Sequence, residues 1–446
     1  MPAIEKRGER AVVIGASVAG LLATRALADH FDHVTLIDRD TKPSTPAPRK
    51  GVPQGNHVHN LLLRGMRILE ALFPGFVEEA SAAGAPMVDL GREFLWYQYF
   101  DWKLHVPAHY DCLFMSRPLL EALLDRRVRA LPNVALRDRT AVRMFHLGSN
   151  GVVSGVSLDD GTELKADLFV DATGRGSQLP KWLQSVGYPA VPEAYVKIDL
   201  GYASRRFRRQ PRAPDRGTSI GDRWRATAVV PTAPQTRGGA AFPIEGDEWL
   251  VTLLGFVRDY PPADEEGFRD FAKSLPMNVV YETITATEPT SDIVVHRFPS
   301  NYRRYYERAT LPRRLLVVGD SVCSFNPGFG QGMTVAAMQV EAVAHGLAET
   351  SESLDDVLRR AQKKIGRIVD IPWDVVVNED LRHEAAVGER TLRNRMIQWY
   401  SAGLMRGANR DPKLAATFME LANFTCSPNI IFRPDVAARI LAHCAH

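Results

Sequence analysis

The segment that most constrains the fold of this chain lies at residues 11–38. It begins with an apolar run at 11–14, which is typical of a buried parallel strand, and continues through a glycine-containing turn into a helical pattern at 21–28. A second short strand follows and ends in Asp38. A strand, a glycine-rich turn, a helix, a strand and an acid, in this order, are typical of a dinucleotide-binding unit. The segment therefore predicts an α/β fold with a Rossmann-like lobe.

The residues of this turn each have a physical role in such a unit. Gly15 allows the tight turn after the strand, and Gly20 allows the helix to pack close to the strand. The helix N-terminus offers free N–H groups to a pyrophosphate, and Asp38 can accept hydrogen bonds from a ribose. Ser17 stands where the middle glycine is usual. An ordinary helix start in an α/β unit is the alternative interpretation, and a second element is needed to decide.

Composition limits the class of protein. The chain has 446 residues, enough for two or three lobes, and is 45% hydrophobic, as expected of a globular enzyme. A net charge of +3 is too small for a general polyanion binder, so no nucleic-acid partner is predicted. Its 4 cysteines form no metal or redox motif and favour a reducing, cytoplasmic location. No secretory signal is visible, and no apolar run reaches the roughly eighteen residues of a transmembrane span.

A second glycine-containing segment follows a buried strand at 164–170. The strand runs into Asp171 and then Gly174. An acid and glycines after a parallel strand place backbone at the edge where ligands bind.

A third segment follows another buried strand, at 314–318. Gly319 and Asp320 end this strand, and Asp320 is suited to bond a hydroxyl group. A glycine-rich run then precedes a long helix at 334–348, so its N–H groups and dipole can face an anionic or electron-rich group. The residues singled out in this run are Pro327, Gly330, Gly332 and Met333.

Basic residues and histidines accompany these turns. Arg49 and Lys50, with neighbouring glycines, favour binding of a phosphate or of a cofactor ring. His57 and His59 alternate, but no third ligand stands at metal spacing, so no metal site is predicted. Arg117 begins a helix, where a cation is unfavourable for the helix dipole, and this favours a bound anion there.

The pattern changes along the chain and divides it into four parts. Residues 1–178 predict the first part of the dinucleotide-binding lobe, with strands at 134–147 and 152–158. Residues 179–311 predict an inserted substrate lobe, mainly antiparallel sheet, because short alternating runs replace helical periodicity. Residues 312–350 predict the return to the first lobe, and 351–446 predict a helical C-terminal region.

The three glycine segments, in this order, resemble those of FAD-dependent monooxygenases of the para-hydroxybenzoate hydroxylase type (group A). The resemblance covers about residues 11–348, and it departs from that group where two residues separate Asp171 from Gly174. The run from Arg49 through His57 and His59, together with 171–177 and 318–333, resembles the bacterial polyether epoxidases of the lasalocid and monensin pathways, which epoxidise long apolar polyketides.

The resemblance implies bound FAD, NAD(P)H or a separate flavin reductase as transient electron donor, and oxygen transfer from dioxygen through a flavin 4a-hydroperoxide. The residues that it assigns to FAD are Gly15, Ser17, Gly20, Asp38, Arg39, Arg49, Lys50, Arg117, Asp171, Gly174, Gly319, Asp320, Pro327, Gly330, Gly332 and Met333. The candidates for a catalytic role are His57, His59 and Pro327. No Ser-His-Asp or Cys-His set is found, as expected where a flavin carries the chemistry.

The function predicted is epoxidation or hydroxylation of a largely apolar substrate, of the kind found in secondary metabolism such as antibiotic biosynthesis. An FAD-dependent reductase or dehydrogenase of an isoprenoid is the alternative, and a non-redox flavoprotein cyclase is a third. A flavin halogenase is disfavoured because the run at 371–373 does not reproduce Trp-x-Trp-x-Ile-Pro. The residues that either line an apolar pocket or form the core of the inserted sheet are Phe242, Trp249, Leu250, Leu253 and Phe256. For a phenol substrate, His57 or His59 is the nearest candidate base.

Overall fold

The structure is a computed structural model, and it describes residues 5–106, 110–148, 150–209, 224–349 and 352–444. Within these ranges no helix is both long enough and apolar enough to cross a bilayer. The strands are β1 Gly8–Ile14, β2 Phe31–Ile37, β3 Met87–Asp89, β4 Phe94–Gln98, β5 Asp101–Trp102, β6 Asp111–Leu113, β7 Val134–Arg137, β8 Val142–Leu147, β9 Val153–Leu158, β10 Glu163–Leu164, β11 Leu168–Asp171, β12 Glu193–Arg208, β13 Ala226–Val229, β14 Arg237–Ile244, β15 Glu248–Gly255, β16 Val294–Arg304, β17 Leu315–Val317 and β18 Cys323–Ser324.

The helices begin at caps that the sequence supplies. Ser116, Ser353 and Asp411, for example, accept backbone N–H hydrogen bonds at the starts of three of them. The helices are α1 Val18–Ala28, α2 Leu63–Leu72, α3 Phe76–Ala82, α4 Arg117–Arg129, α5 Leu179–Ser185, α6 Glu265–Lys273, α7 Val279–Thr285, α8 Gly332–Ala348, α9 Leu354–Asp380, α10 Leu392–Gly407, α11 Pro412–Ala422 and α12 Pro434–Ala442.

A parallel sheet of 5 strands, in the order β17-β11-β1-β2-β7, forms the first lobe. The strand β1, the helix α1 and the strand β2 confirm the βαβ unit predicted from the sequence. All three glycine segments follow strands of this sheet, with β11 between β1 and β17. Because the strands are parallel, these segments meet at one edge of the sheet.

A mainly antiparallel sheet of 8 strands, in the order β18-β16-β12-β15-β14-β13-β4-β5, forms the second lobe. Its strands β4 and β5 come from the stretch predicted as the first part of the dinucleotide-binding lobe, and β4 pairs in parallel with β13. The single strand predicted at 134–147 is wrong. Residues Val134–Arg137 join the parallel sheet, whereas Val142–Leu147 join a separate sheet of 3 strands.

The C-terminal region is helical, as predicted, and several of its side chains line the main cavity. Helix α9 packs along α8, and α10 packs against α11 and α12. The fold class is therefore confirmed: an α/β lobe of Rossmann type, an inserted antiparallel lobe and a helical C-terminal region.

Candidate functional site

The first glycine turn has no room for side chains. Gly15 has a φ of +101°, and a Cβ atom there would lie 2.4 Å from the carbonyl oxygen of Ala172. A Cβ at Gly20 would lie 1.7 Å from the carbonyl oxygen of Gly15. Both glycines are therefore required by close backbone approach, and they bring the N-terminus of α1 against the ends of β1 and β11.

Asp38 lies directly beside this turn. Its Oδ2 atom accepts a hydrogen bond from the backbone N–H of Ala16 at 2.8 Å and lies 3.1 Å from Nη1 of Arg49. Arg39 is exposed and lines the same cavity, whereas Lys50 is exposed and is not part of the cavity lining. The structure therefore places Arg49 at the turn and leaves Lys50 outside it.

A buried carboxylate that the sequence analysis missed, Glu121 of α4, organises the cations. Its oxygens accept hydrogen bonds from Nε of Arg49 at 3.0 Å, from Nε of Arg117 at 2.9 Å and from Oγ of Ser17 at 2.6 Å. Burial acts to raise the pKa of Glu121, but Arg117 and Arg49 outweigh it and hold that pKa at about 2. The spacing of four residues between Arg117 and Glu121 on one helix was the signal available in the sequence.

Asp171 holds the second glycine segment in shape. Its Oδ1 accepts from the N–H of Thr173 at 2.9 Å, and its Oδ2 accepts from Oγ of Ser177 at 2.5 Å. Ser321 connects this segment to the third one, because its Oγ donates to Asp171 at 3.2 Å and accepts from the N–H of Gly174 at 2.8 Å. The carboxylate of Asp171 is thus occupied by its own chain.

The third segment packs onto the first. Gly319 has a φ of +66°, and a Cβ there would lie 2.6 Å from the Cβ of Ala19 in α1. Asp320, the next residue, lines the cavity and makes no hydrogen bond to the described residues. Burial raises the pKa of Asp320, while Arg117 and Arg175 act to lower it. Asp320 is therefore a carboxylate with free acceptor capacity inside the cavity.

The run before α8 is fixed by a buried set of amides and a carboxylate. Asn326 accepts from the N–H of Gly328 at 2.9 Å and donates to Asp380 at 2.8 Å, and Asn301 donates to Asp380 at 2.6 Å. Burial raises the pKa of Asp380 to about 7. A Cβ at Gly332 would meet nothing within 4 Å, so open space lies at the start of α8. The residues of this run that line the cavity include Pro327, Gly330, Gly332 and Met333.

The two histidines take different positions. Nδ1 of His57 lies 2.7 Å from Oγ of Ser204 in the antiparallel sheet. Nδ1 of His59 lies 2.9 Å from the carbonyl oxygen of His57, and the charge of Arg117 acts on it. Burial lowers the pKa of His57 to about 3 and that of His59 to about 4, so both are neutral near pH 7.

One cavity of about 1360 Å³ connects all of these elements and continues between the sheet lobe and the C-terminal helices. Among the five apolar residues named from the sequence, Phe242 lines it, whereas Leu253 packs in a separate core with Phe268 and Phe271. The helical wall of this cavity could not be predicted from the sequence, because nothing in a helical pattern shows which face meets a distant sheet. Apolar side chains of this cavity include Trp96, Phe242, Leu254, Phe298, Ile371, Met396, Leu404, Met405 and Phe418.

These residues fit an extended dinucleotide cofactor. The glycine turn beside Asp38 lies at one part of the cavity and the open space at Gly332 at another, with Arg117 and Asp320 also on its wall. Backbone N–H groups and arginines suit a pyrophosphate, and the free carboxylate of Asp320 suits sugar hydroxyls. The hydrogen-bond donors and acceptors along the cavity wall therefore match those that a dinucleotide cofactor needs.

Comparison with known proteins agrees with this geometry. Residues 9–361 match the family described as FAD binding domain. Protein Rv3254 of Mycobacterium tuberculosis is 32% identical over 461 residues, which cover 98% of this chain and 94% of that protein.

Solved structures with the same fold have low sequence identity. PqsL of Pseudomonas aeruginosa, described as a probable FAD-dependent monooxygenase, has a TM-score of 0.60 and 18% identity, covering 92% of this chain and 99% of that one. The flavin-dependent brominase Bmp2 has a TM-score of 0.67 and 14% identity, covering 98% of each chain. The 2-methyl-3-hydroxypyridine-5-carboxylic acid oxygenase has a TM-score of 0.57 and 19% identity, covering 87% of this chain and 92% of that one. At these identities the likeness is one of fold.

Proposed function

This chain belongs to the FAD-binding domain family, and we propose that it is a flavin-dependent monooxygenase that transfers one oxygen atom from dioxygen to a largely apolar small molecule. The observation that carries the proposal is the continuity of the cavity. The same space that contains the dinucleotide-type turns extends to the apolar wall formed by Trp96, Phe242 and Phe418. A cofactor held at the turns therefore shares one chamber with an apolar ligand.

In this proposal the first turn and Arg117 hold the pyrophosphate, Asp38 the adenosine ribose and Asp320 the ribityl hydroxyls. FAD bound there would, once reduced, activate dioxygen, and dioxygen would supply the oxygen atom that is transferred. The N-terminus of α8 at Gly332 stabilises negative charge on a neighbouring ring. Asp171 and Asp380 hold neighbouring residues in position, because each carboxylate accepts hydrogen bonds from side chains of the protein itself.

The reductant and the substrate are further parts of the proposal. NAD(P)H docks transiently or a separate reductase supplies the electrons, since the described residues contain no second dinucleotide unit. The substrate is a polyene, a terpenoid or a polyketide-derived ring, converted by epoxidation or hydroxylation in the cytoplasm. The resemblance of the segment from Arg49 to His59 to polyether epoxidases supports a role in secondary metabolism such as antibiotic biosynthesis.

Two measurements test the function. We expect the purified protein to be yellow and to release FAD on heat denaturation; colourless protein that cannot be reconstituted with FAD contradicts the cofactor assignment. We then expect product formed under oxygen-18 gas to carry the label. A reductase, dehydrogenase or cyclase gives unlabelled product, so an absence of label favours those alternatives. Stopped-flow bleaching of the flavin with NADPH, NADH or neither identifies the electron donor.

A further inference from the structure

A short chain of hydrogen bonds connects His57 to the backbone through two hydroxyl groups. The N–H of Val58 donates to Oγ1 of Thr252 at 2.9 Å. Oγ1 of Thr252 lies 2.6 Å from Oγ of Ser204, which lies 2.7 Å from Nδ1 of His57. The side chains of His57, Ser204 and Thr252 are all buried.

The direction of these hydrogen bonds determines which ring nitrogen of His57 carries the proton. The N–H of Val58 can only donate, so Thr252 accepts it and has its own hydroxyl proton to give. If Thr252 donates to Ser204 and Ser204 donates to Nδ1 of His57, every proton in this series of hydrogen bonds has an acceptor. The opposite direction leaves the hydroxyl proton of Thr252 without a partner among the described residues. The first arrangement makes Nδ1 an acceptor and places the proton of the neutral ring on Nε2.

Two polar atoms near this ring lack partners. Within the described part of the chain, neither Nε2 of His57 nor Oη of Tyr202 makes a hydrogen bond, and both atoms are buried. Their ring centroids are 5.3 Å apart, and both residues line the main cavity. A buried donor without an acceptor is unfavourable, so a hydrogen-bond acceptor supplied by a ligand would stabilise both atoms.

Neutral histidine rings lie beside these two atoms, close to the cofactor-binding run. Burial and the nearby carboxyl group of Asp380 raise the pKa of Tyr202, so its hydroxyl keeps its proton. His296 stacks on Tyr202 with centroids 6.2 Å apart, and burial lowers its pKa as it does that of His57. Tyr202 belongs to one apolar cluster with Phe256. A Cβ built at Gly328 would lie 3.7 Å from Phe256, so this cluster packs against the run that precedes α8.

We propose that Nε2–H of His57 and Oη–H of Tyr202 donate hydrogen bonds to one acceptor oxygen of the substrate, whose entry moves aside the neighbouring side chains that cover both atoms. The substrate class is then an apolar ring system that carries a ketone, quinone or phenolate oxygen. His57 acts as a donor in this arrangement, which differs from the role of a base for a phenol. The inference rests on the proposed function, because it takes the substrate to occupy the same cavity as the cofactor.

Nitrogen-15 NMR of the histidine-labelled holoenzyme tests the proton position directly. We expect the His57 signals, assigned by their loss in His57→Gln, to show a protonated Nε2 and a bare Nδ1 from about pH 5 to 8. Ser204→Ala removes the donor to Nδ1 and should shift that nitrogen signal. A proton on Nδ1, or titration of His57 within this range, overturns the inference, and the result needs no substrate.

Ligand binding tests the acceptor site. The probes are 9-fluorenone and fluorene, which share a shape and differ in one carbonyl group, and binding is followed by the absorption spectrum of the bound flavin. We expect the holoenzyme to prefer the ketone by at least about tenfold, the worth of one hydrogen bond to a buried donor. Tyr202→Phe should reduce this preference several-fold.

Tyr306→Phe is the matched control, because Tyr306 is also buried with an unpartnered hydroxyl among the described residues but does not line the cavity. It should leave the preference unchanged. Equal affinity for the two probes, or no binding of the ketone, overturns the inference. A yellow protein that incorporates oxygen-18 yet shows no ketone preference refutes this inference alone, whereas a protein without FAD refutes the proposed function.

Discussion

Replacing Glu121 by Gln removes the carboxylate that holds two arginines at the proposed pyrophosphate site, while keeping the size of the side chain. The pKa of Glu121 is held at about 2, against an ordinary value of 4.5, by Arg117 and Arg49, which outweigh the effect of burial. At about 1.4 kcal/mol for each tenfold change in proton affinity, this difference corresponds to about 3 kcal/mol of stabilisation by the ionised form. We therefore expect the apoprotein of Glu121→Gln to lose about 3 kcal/mol of unfolding free energy near pH 7.

The holoenzyme should lose less, because a bound pyrophosphate supplies negative charge to the same arginines. By thermodynamic linkage the variant should bind FAD more tightly than the wild type does. The gain should be about tenfold in affinity for each 1.4 kcal/mol of unfolding free energy that FAD restores. Urea denaturation of apoprotein and holoenzyme, together with FAD titration, measures both quantities.

Glu79→Gln is the matched control for this experiment. Glu79 also pairs with two arginines of α4, Arg126 and Arg127, but it does not line the cavity. Its replacement should affect apoprotein and holoenzyme equally. If Glu121→Gln also destabilises both forms equally, or leaves the apoprotein unchanged, then the pyrophosphate does not share these arginines and the reasoning is refuted.

Three further predictions concern the cavity and the packing around it. Asp320→Ala should lower the fraction of protein that carries FAD, measured from the flavin absorption of purified protein; unchanged occupancy removes Asp320 from the site. Gly20→Ala should abolish FAD binding or folding because the added Cβ would lie 1.7 Å from the Gly15 carbonyl oxygen, whereas Gly346→Ala, where the contact is 3.4 Å, should fold normally by circular dichroism. Burial raises the pKa of Asp380 to about 7, so its contribution to stability is complete below about pH 4 and is lost as the pH rises through 7. Asp380→Asn should therefore flatten the decline in unfolding free energy between about pH 4 and 7, and an unchanged slope contradicts this.

The sequence was sufficient where function depends on residues that are close in the chain. The turn from Gly15 to Gly20 is defined by short-range backbone geometry, so its strand, helix and strand were predicted with their correct last residues, although each begins three residues earlier in the structure. The run from Gly319 to Met333 was found for the same reason. Strand assignment failed at 134–147, because an alternating pattern gives the face of a strand and not the sheet that it joins.

The sequence by itself determined the parallel strands, the glycine turns and the chemical types of the groups that line them. Only the tertiary structure decided which of these groups meet. It placed Glu121 between Arg49 and Arg117, and it linked His57 to Ser204, 147 residues away. In the tertiary structure β4 also belongs to the antiparallel sheet, and residues of the C-terminal helices line the cavity. Such contacts depend on how lobes pack against each other, and local sequence patterns carry no information on packing between distant segments.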